Sequence, residues 1–337
     1  MKIALDVMGG DDAPESTLDG ALRALEDYSW IETIYLVGDE ERMKPGVDLR
    51  AFPASRIELV HAPEVVEMND PALAALRKKK NSSITRGVNL VKSGDCQAVV
   101  SAGHTGAAVA ASTVLLRNLP GVERAGIASP MPNEYGACNI VDAGANPEAK
   151  PFHLLQYAIM GSVYARYVFG VEKPVVGLMS LGEEDEKGTD FTKEVFELLK
   201  GSGLNFRGNV EGHDLFETPL DVVVCDGFVG NVVLKSCEAT AKIVFKWVKD
   251  EIHKAGPLAK LGAFLAKPAL RRVHQRGSYE SYGGSPLLGV DGITIIGHGS
   301  SSAVAIQNAI RVAGEAIRYQ VNPHITEEIQ NSSPSNV

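Results

Sequence analysis

Glycines, hydroxyls, amides and isolated charges recur in short turns at the ends of apolar runs. Ser101, Ala102, Gly103, His104, Thr105 and Gly106 follow one such run, and Asp142, Gly144 and Asn146 follow another. Cys225, Asp226, Gly227, Gly230 and Asn231 follow the run 220–224, and Gly297, His298, Gly299 and the serines at 300–302 follow 293–296. Asp6, Gly9, Gly10, Asp11 and Asp12 close the first apolar run in the same style. Small residues at the carboxyl end of a strand leave backbone N–H groups free to approach a ligand, and a helix starting there favours an anion. This pattern predicts an enzyme that handles an anionic substrate.

Each motif also has a plainer reading. His104 and Thr105 add an imidazole and a hydroxyl to a positive helix end, which suits a phosphate oxygen, but a simple strand-to-helix turn explains them equally well. The turn at 6–12 serves as a tight bend with Asp12 as a helix cap. In the segment 182–189, Lys187 stands among Glu183, Glu184, Asp185 and Glu186, without the residue order of a P-loop. A solvated loop is the ordinary reading, while its place after a buried-looking strand is the ligand end of that strand. Cys225 reads as an inert buried thiol. Arg77, Lys78, Lys79 and Lys80 form a basic run of a kind that is most often a solvated face. Leu258, Leu261, Phe264 and Leu265 recur at helical spacing, interleaved with Lys260 and Lys267. Such a face suits an anionic membrane surface, though spacing alone favours a packed helix pair.

The elements that must position these residues alternate. Strand patterns at 2–7, 33–37, 56–60, 97–101, 125–129, 138–141, 174–179, 206–210, 220–225 and 293–297 are separated by helical patterns such as 14–27, 83–93, 105–117, 151–169 and 189–200. That alternation predicts parallel sheets with helices on both faces. The chain has 337 residues, enough for two lobes: 1–150 with 290–330, and 151–289 with a protruding helical hairpin near 245–275. A polar tail at 331–337 is expected to be disordered. A net charge of −9 argues against a nucleic-acid partner. Four cysteines without CxxC spacing read as reduced cytosolic thiols, and the histidines show no metal-ligand spacing, so no metal is expected. No apolar run approaches the ~20 residues that span a bilayer, and Met1 leads directly into a strand, which predicts no signal peptide.

Taken in order, these motifs resemble the bacterial PlsX family of phosphate acyltransferases. The segments 6–11, 77–83, 101–107, 142–146, 182–188, 209–212, 221–235 and 283–302 carry the likeness, which spans nearly the whole chain. The family usually has asparagine where His104 and Ser180 stand, and arginine where His213 stands. The resemblance implies an isocitrate dehydrogenase-like, phosphotransacetylase-like α/β/α fold with a substrate cleft between lobes. It implies a cofactor-free reaction in which long-chain acyl-ACP and inorganic phosphate give acyl phosphate and free acyl carrier protein, an early step of phospholipid synthesis. Lys187 is then the cation near phosphate or the thioester oxygen, Asn231 an amide donor, and His104 a phosphate ligand together with the 103–106 backbone. Asp226 and Glu184 would orient Lys187 and its loop. Asp6, Gly9, Gly10, Ser101, Gly103, Thr105, Gly106, Asp142, Asn146, Gly227 and His298 complete the expected phosphate and substrate site. The implied partners are acyl carrier protein docked on Arg77, Lys78, Lys79 and Lys80, a second copy of the chain, and an anionic membrane surface touched by Leu258, Leu261, Phe264 and Leu265. A downstream glycerol-3-phosphate acyltransferase that uses the acyl phosphate is implied as well. That places the protein in the cytoplasm, peripheral to the inner face of the cytoplasmic membrane. The competing readings are an NAD-dependent hydroxy-acid dehydrogenase of the same fold class, weakened by the lack of a G-x-G-x-x-G turn, and a non-catalytic membrane scaffold, which leaves the ligand-type turns idle.

Overall fold

Strand and helix alternate through the chain in the computed structural model, which describes residues 1–277 and 282–332. The first stretch gives β1 (Lys2–Asp6), α1 (Glu15–Asp27), β2 (Thr33–Gly38), α2 (Glu40–Leu49), β3 (Ile57–His61), α3 (Ala72–Lys78), α4 (Ser83–Ser93), β4 (Ala98–Ser101) and α5 (Thr105–Leu115). Then come β5 (Gly126–Asn133), β6 (Gly136–Val141), α6 (Pro151–Val168), β7 (Val176–Met179), α7 (Asp190–Lys200), β8 (Phe206–Val210), α8 (Asp214–Glu217) and β9 (Val222–Val224). The chain ends with α9 (Gly227–Lys254), α10 (Pro257–Gly277), β10 (Ser285–Leu288), β11 (Ile293–Ile296), α11 (Ala303–Arg318) and α12 (Val321–Ser332).

All the strands join one sheet in the order β3-β2-β1-β4-β11-β10-β5-β6-β9-β7-β8. The first five of these are parallel, as are the last four. Between them β10 is antiparallel to both β11 and β5, and β5 is antiparallel to β6. Strand direction therefore reverses at each of these three pairs, and the β10–β5 junction divides the two parallel groups. β10 is not evident in the sequence, because Gly283, Gly284 and Pro286 read as a turn. β5 runs four residues past its expected end, through Pro130 and Pro132. β10 pairs only with Gly126 and Ile127, so the rest of that edge is open and a missing N–H costs no ladder bond there.

Among the described residues the apolar surfaces bury in four clusters, and the two largest lie mainly on opposite sides of the junction. Ile3, Leu5, Leu18, Ile34, Leu36 and Ile306 belong to the first, and Leu154, Tyr157, Met160, Leu178 and Val222 to the second. α6, apolar on all sides and expected to join two lobes, is instead the centre of the second cluster, packed on β6, β9, α7 and α12. The expected lobes meet this sheet unevenly, since β5 and β6 pair on the side of β9 and α12 lies on α6. The predicted tail begins beyond α12, whose last turn includes Asn331 and Ser332; residues 333–337 lie outside the described residues. α9 and α10 pack on each other as a helical hairpin that leaves most of its surface exposed.

Candidate active site

Three turns of the first half lock together at adjacent strand ends. Asp6, at the end of β1, is 1% exposed, and its carboxylate accepts from the Ser101 hydroxyl (2.7 Å) and the Met8 N–H (3.2 Å). The same Ser101 Oγ accepts from the N–H of Gly103 (3.2 Å). Burial pushes the Asp6 carboxyl up, and donation from Ser83, Ser101, Met8 and Gly9 works against that shift. A side chain at Gly9 would meet the Gly103 nitrogen at 2.6 Å, so only glycine lets these two turns touch. The turn after β11 joins them through Gly297 N–H to Ser101 O (2.8 Å) and Asp11 N–H to Gly299 O (2.7 Å).

His104 caps α5. Its Nδ1 accepts from the N–H of Ala107 (3.2 Å), which requires that Nε2 carry the proton and donate it to Asp70 O (3.0 Å). Both ring nitrogens are thus engaged in positioning. Gly103 and Thr105 line the cavity described below, whereas Asp6, Gly9, Gly10, Ser101, His104 and Gly106 do not.

The second half repeats the device. Asp142, fully buried at the end of β6, accepts from the N–H groups of Ile127, Gly144, Ala145 and Asn146, at 2.6–3.0 Å. Burial raises its carboxyl against those four donors. Asp226 caps α9 by accepting from the Val229 N–H (2.9 Å), and Gly227 N–H donates to Asn146 O (3.0 Å). A Cβ at Gly230 would stand 1.9 Å from Asp142 O, so α9 docks on the 142–146 turn only because glycine is there. Cys225 is 3% exposed and burial pushes its thiol well up, in keeping with an inert role.

A cavity of about 1470 Å³ opens at the strand-direction switch. Asp11, Gly103, Thr105, Gly297, His298 and Gly299 line one end of it. Pro130, Met131, Pro132, Phe216, Leu234 and Phe245 give it a long apolar wall. Asn231, Lys235, Glu238 and Lys242 present one stripe of α9 to it. Lys235 Nζ donates to Glu238 Oε2 at 3.0 Å, and His298 Nε2 lies 3.6 Å from the same oxygen. Burial, then the Lys235 charge, holds His298 below the usual imidazole range, with Glu238 pulling the other way.

The structure thus brings Gly103, Thr105, Asn231 and His298 of the expected site together and assigns several others to the scaffold. Lys187 and Glu184 are exposed on the loop after β7, outside the cavity lining; Glu184 O accepts from Asn209 Nδ2 (2.9 Å) and from the Lys187 N–H (3.0 Å). Lys79 is not free to dock a partner, since its ammonium donates to Asp70 (2.6 Å) and Val65 O (2.7 Å); Arg77, Lys78 and Lys80 are exposed. Ligand atoms of Glu183, His213 and Asp214 lie within 4.8 Å of one another. The Asp214 carboxylate already accepts from Thr218 Oγ1 and the Glu211 N–H. Lys235, Glu238 and Lys242 escaped the sequence reading, although they follow Asn231 at +4, +7 and +11, the spacing of one helix face.

The family model described as "Fatty acid synthesis protein" matches residues 1–324. A phosphate acyltransferase of Akkermansia muciniphila is 59% identical over 335 residues, covering 98% of this chain and 96% of its own. One of Pelotomaculum thermopropionicum is 49% identical over 331 residues, again covering 98% and 96%. Among solved structures, a phosphotransacetylase from Streptococcus pyogenes superposes with a TM-score of 0.62 at 17% identity over 94% of both chains. A branched-chain phosphotransacylase from Enterococcus faecalis gives 0.57 at 14% identity, over 94% of this chain and 99% of its own. These structures share the fold.

Proposed function

The chain belongs to the fatty acid synthesis protein family of phosphate acyltransferases, and from that premise we propose that it moves a long-chain acyl group from acyl carrier protein to inorganic phosphate. The observation that carries this reading is the joining, in one cavity, of an anion-type turn cluster to a long apolar wall. Asn231 and Phe245 both line it and lie fourteen residues apart on α9, about 21 Å at 1.5 Å per residue. Carbon–carbon bonds of ~1.5 Å at tetrahedral angles advance about 1.25 Å per carbon, so that wall matches an extended chain of roughly 16 carbons.

Phosphate is already an anion at neutral pH, so it needs positioning and desolvation more than a general base. Backbone N–H groups at 104–105 and 298–299, with the Thr105 hydroxyl, hold it. A phosphate oxygen attacks the thioester carbonyl carbon and forms the new C–O bond. The Asn231 amide donates to the oxyanion that develops. As the carbonyl reforms, the C–S bond breaks and the carrier's thiol leaves as thiolate, taking a proton from water. A thiolate leaves readily, which explains a site without a Ser–His–Asp triad. Loading would occur by docking of the carrier near Arg77, Lys78 and Lys80.

The product is an amphiphile with a labile anhydride. Release at an anionic membrane surface, from a dimer tethered by Leu258, Leu261, Phe264 and Leu265, would hand it to a glycerol-3-phosphate acyltransferase directly. The decisive experiment incubates the purified protein with palmitoyl-ACP, with and without inorganic phosphate. Phosphate-dependent release of free carrier with formation of palmitoyl phosphate is expected. Carrier release that does not respond to phosphate would sink the reading.

A further inference from the structure

The three interlocked turns supply N–H groups and a hydroxyl for an anion, yet a multiply charged oxyanion also calls for a full positive charge. Lys187, the cation expected from the sequence, is exposed outside the cavity. The lysines lining it among the described residues are Lys235 and Lys242, both on α9. Lys242 lies seven residues beyond Lys235, about 10 Å farther along the helix, level with the apolar wall. Lys235 is one turn past Asn231 and meets Glu238 at 3.0 Å. His298, from the turn after β11, approaches the same carboxylate oxygen at 3.6 Å. One glutamate, its side chain only 16% exposed, thus brings the Lys235 ammonium from the second half against the anion-type turn of the first. A half-exposed lysine left to itself samples many rotamers; a mostly buried carboxylate beside the turn confines it there.

We propose that Lys235, oriented by Glu238, is the cation that binds the attacking phosphate and sets the enzyme's affinity for it. This rests on the acyl-transfer reading above and assigns its charge, which that reading leaves open. Glu238 is a positioning residue: it touches Lys235, not the substrate. Spanning the two halves, the pair also makes phosphate binding depend on α9 being seated on the 142–146 turn.

Steady-state kinetics with palmitoyl-ACP and varied inorganic phosphate test this. Lys235→Met is expected to raise the phosphate KM at least ~30-fold, the scale of losing one charge-assisted contact, with the acyl-ACP KM nearly unchanged. Lys235→Arg should recover most of that loss, since guanidinium also binds phosphate. Glu238→Gln should raise the phosphate KM several-fold with a smaller change in kcat. The rise of Tm on adding inorganic phosphate, measured without acyl-ACP, should shrink in Lys235→Met and return in Lys235→Arg. A folded Lys235→Met with wild-type phosphate KM overturns the proposal, as does a phosphate KM that responds to Lys187→Ala and not to Lys235. Should Lys235→Met fail to fold, a Lys235→Gln variant with an undiminished phosphate Tm shift overturns it equally. Wild-type protein that makes no acyl phosphate overturns the acyl-transfer reading and this assignment together, so the two failures are told apart by the wild-type control.

Discussion

Asp6 and Asp142 occupy matching places in the two halves, and neither lines the cavity. Each carboxylate is buried at a strand end, and each ties down N–H groups of the turn that follows. Their removal would loosen the cradle instead of deleting a contact to phosphate. His104 works in the same way, and its geometry explains how asparagine could stand in its place: an Asn side chain at that position also accepts from the first turn of α5. His104→Asn is therefore expected to keep turnover within a few-fold of wild type. His104→Ala should lower stability by about 1 kcal/mol, the scale of a lost N-cap, and raise the phosphate KM. Melting curves and kinetics on the pair decide it; an inactive, folded Asn variant would mean that the imidazole moves a proton. The residue types of this site were legible in the sequence, because Gly, Ser, Asp and Asn cluster at strand ends. The direction each side chain faces was not, since a buried carboxylate that braces a turn and one that meets a ligand look alike in a string of letters.

The elements show the same division. Alternating strand and helix patterns were plain, whereas β10 was hidden by Gly283, Gly284 and Pro286, and with it the reversal of strand direction that places the cavity. The segment between β3 and α4 carries a further consequence of packing. Lys79 holds Asp70, and Asp70 O receives the His104 proton, so the basic run at the end of α3 is tied to the capped end of α5. The Lys79 hydrogen bond keeps the Asp70 carboxyl below its ordinary value, with the Glu67 N–H contributing. A depressed carboxyl stabilises the fold above its unfolded value and loses that effect as pH falls through the folded one, so the latch is shut at neutral pH and opens only in acid. Lys79→Met should speed tryptic cutting after Arg77 and Lys78 at pH 8, and unchanged cutting would show that the latch does not hold the segment. Lys78→Glu with Lys80→Glu leaves the latch intact and reverses two exposed charges. That double variant should raise the acyl-ACP KM and flatten its salt dependence, because steering between an acidic carrier and a basic face weakens with ionic strength. A KM unaffected at low salt would make the run an ordinary solvated face.

At the scale of the whole molecule, the hairpin of α9 and α10 joins two tasks. The stretch 231–245 of α9 lines the cavity with Asn231, Lys235 and Phe245, and the far part of the hairpin leaves Leu258 86%, Leu261 56%, Phe264 69% and Leu265 71% exposed. Among the described residues no helix is long and apolar enough to cross a membrane. Lys260 and Lys267 flank these side chains, which suits a face that lies on anionic headgroups with its apolar residues inserted. Full burial of such a side chain contributes about 1.5–3 kcal/mol, so even partial insertion of four holds the protein at a surface reversibly. An acyl chain lodged along α9 would then leave the cavity beside the lipid that receives it. Leu261→Glu combined with Phe264→Glu should abolish sedimentation with vesicles containing anionic lipid and leave turnover of palmitoyl-ACP in solution largely intact, because neither residue lines the cavity. The competing cover for this face is a second copy of the chain. In that case the same double variant would lose its oligomeric state by light scattering, with or without vesicles. A variant that stays assembled and folded yet no longer sediments separates the membrane from the partner; a variant that falls apart assigns the face to the dimer and removes the tether.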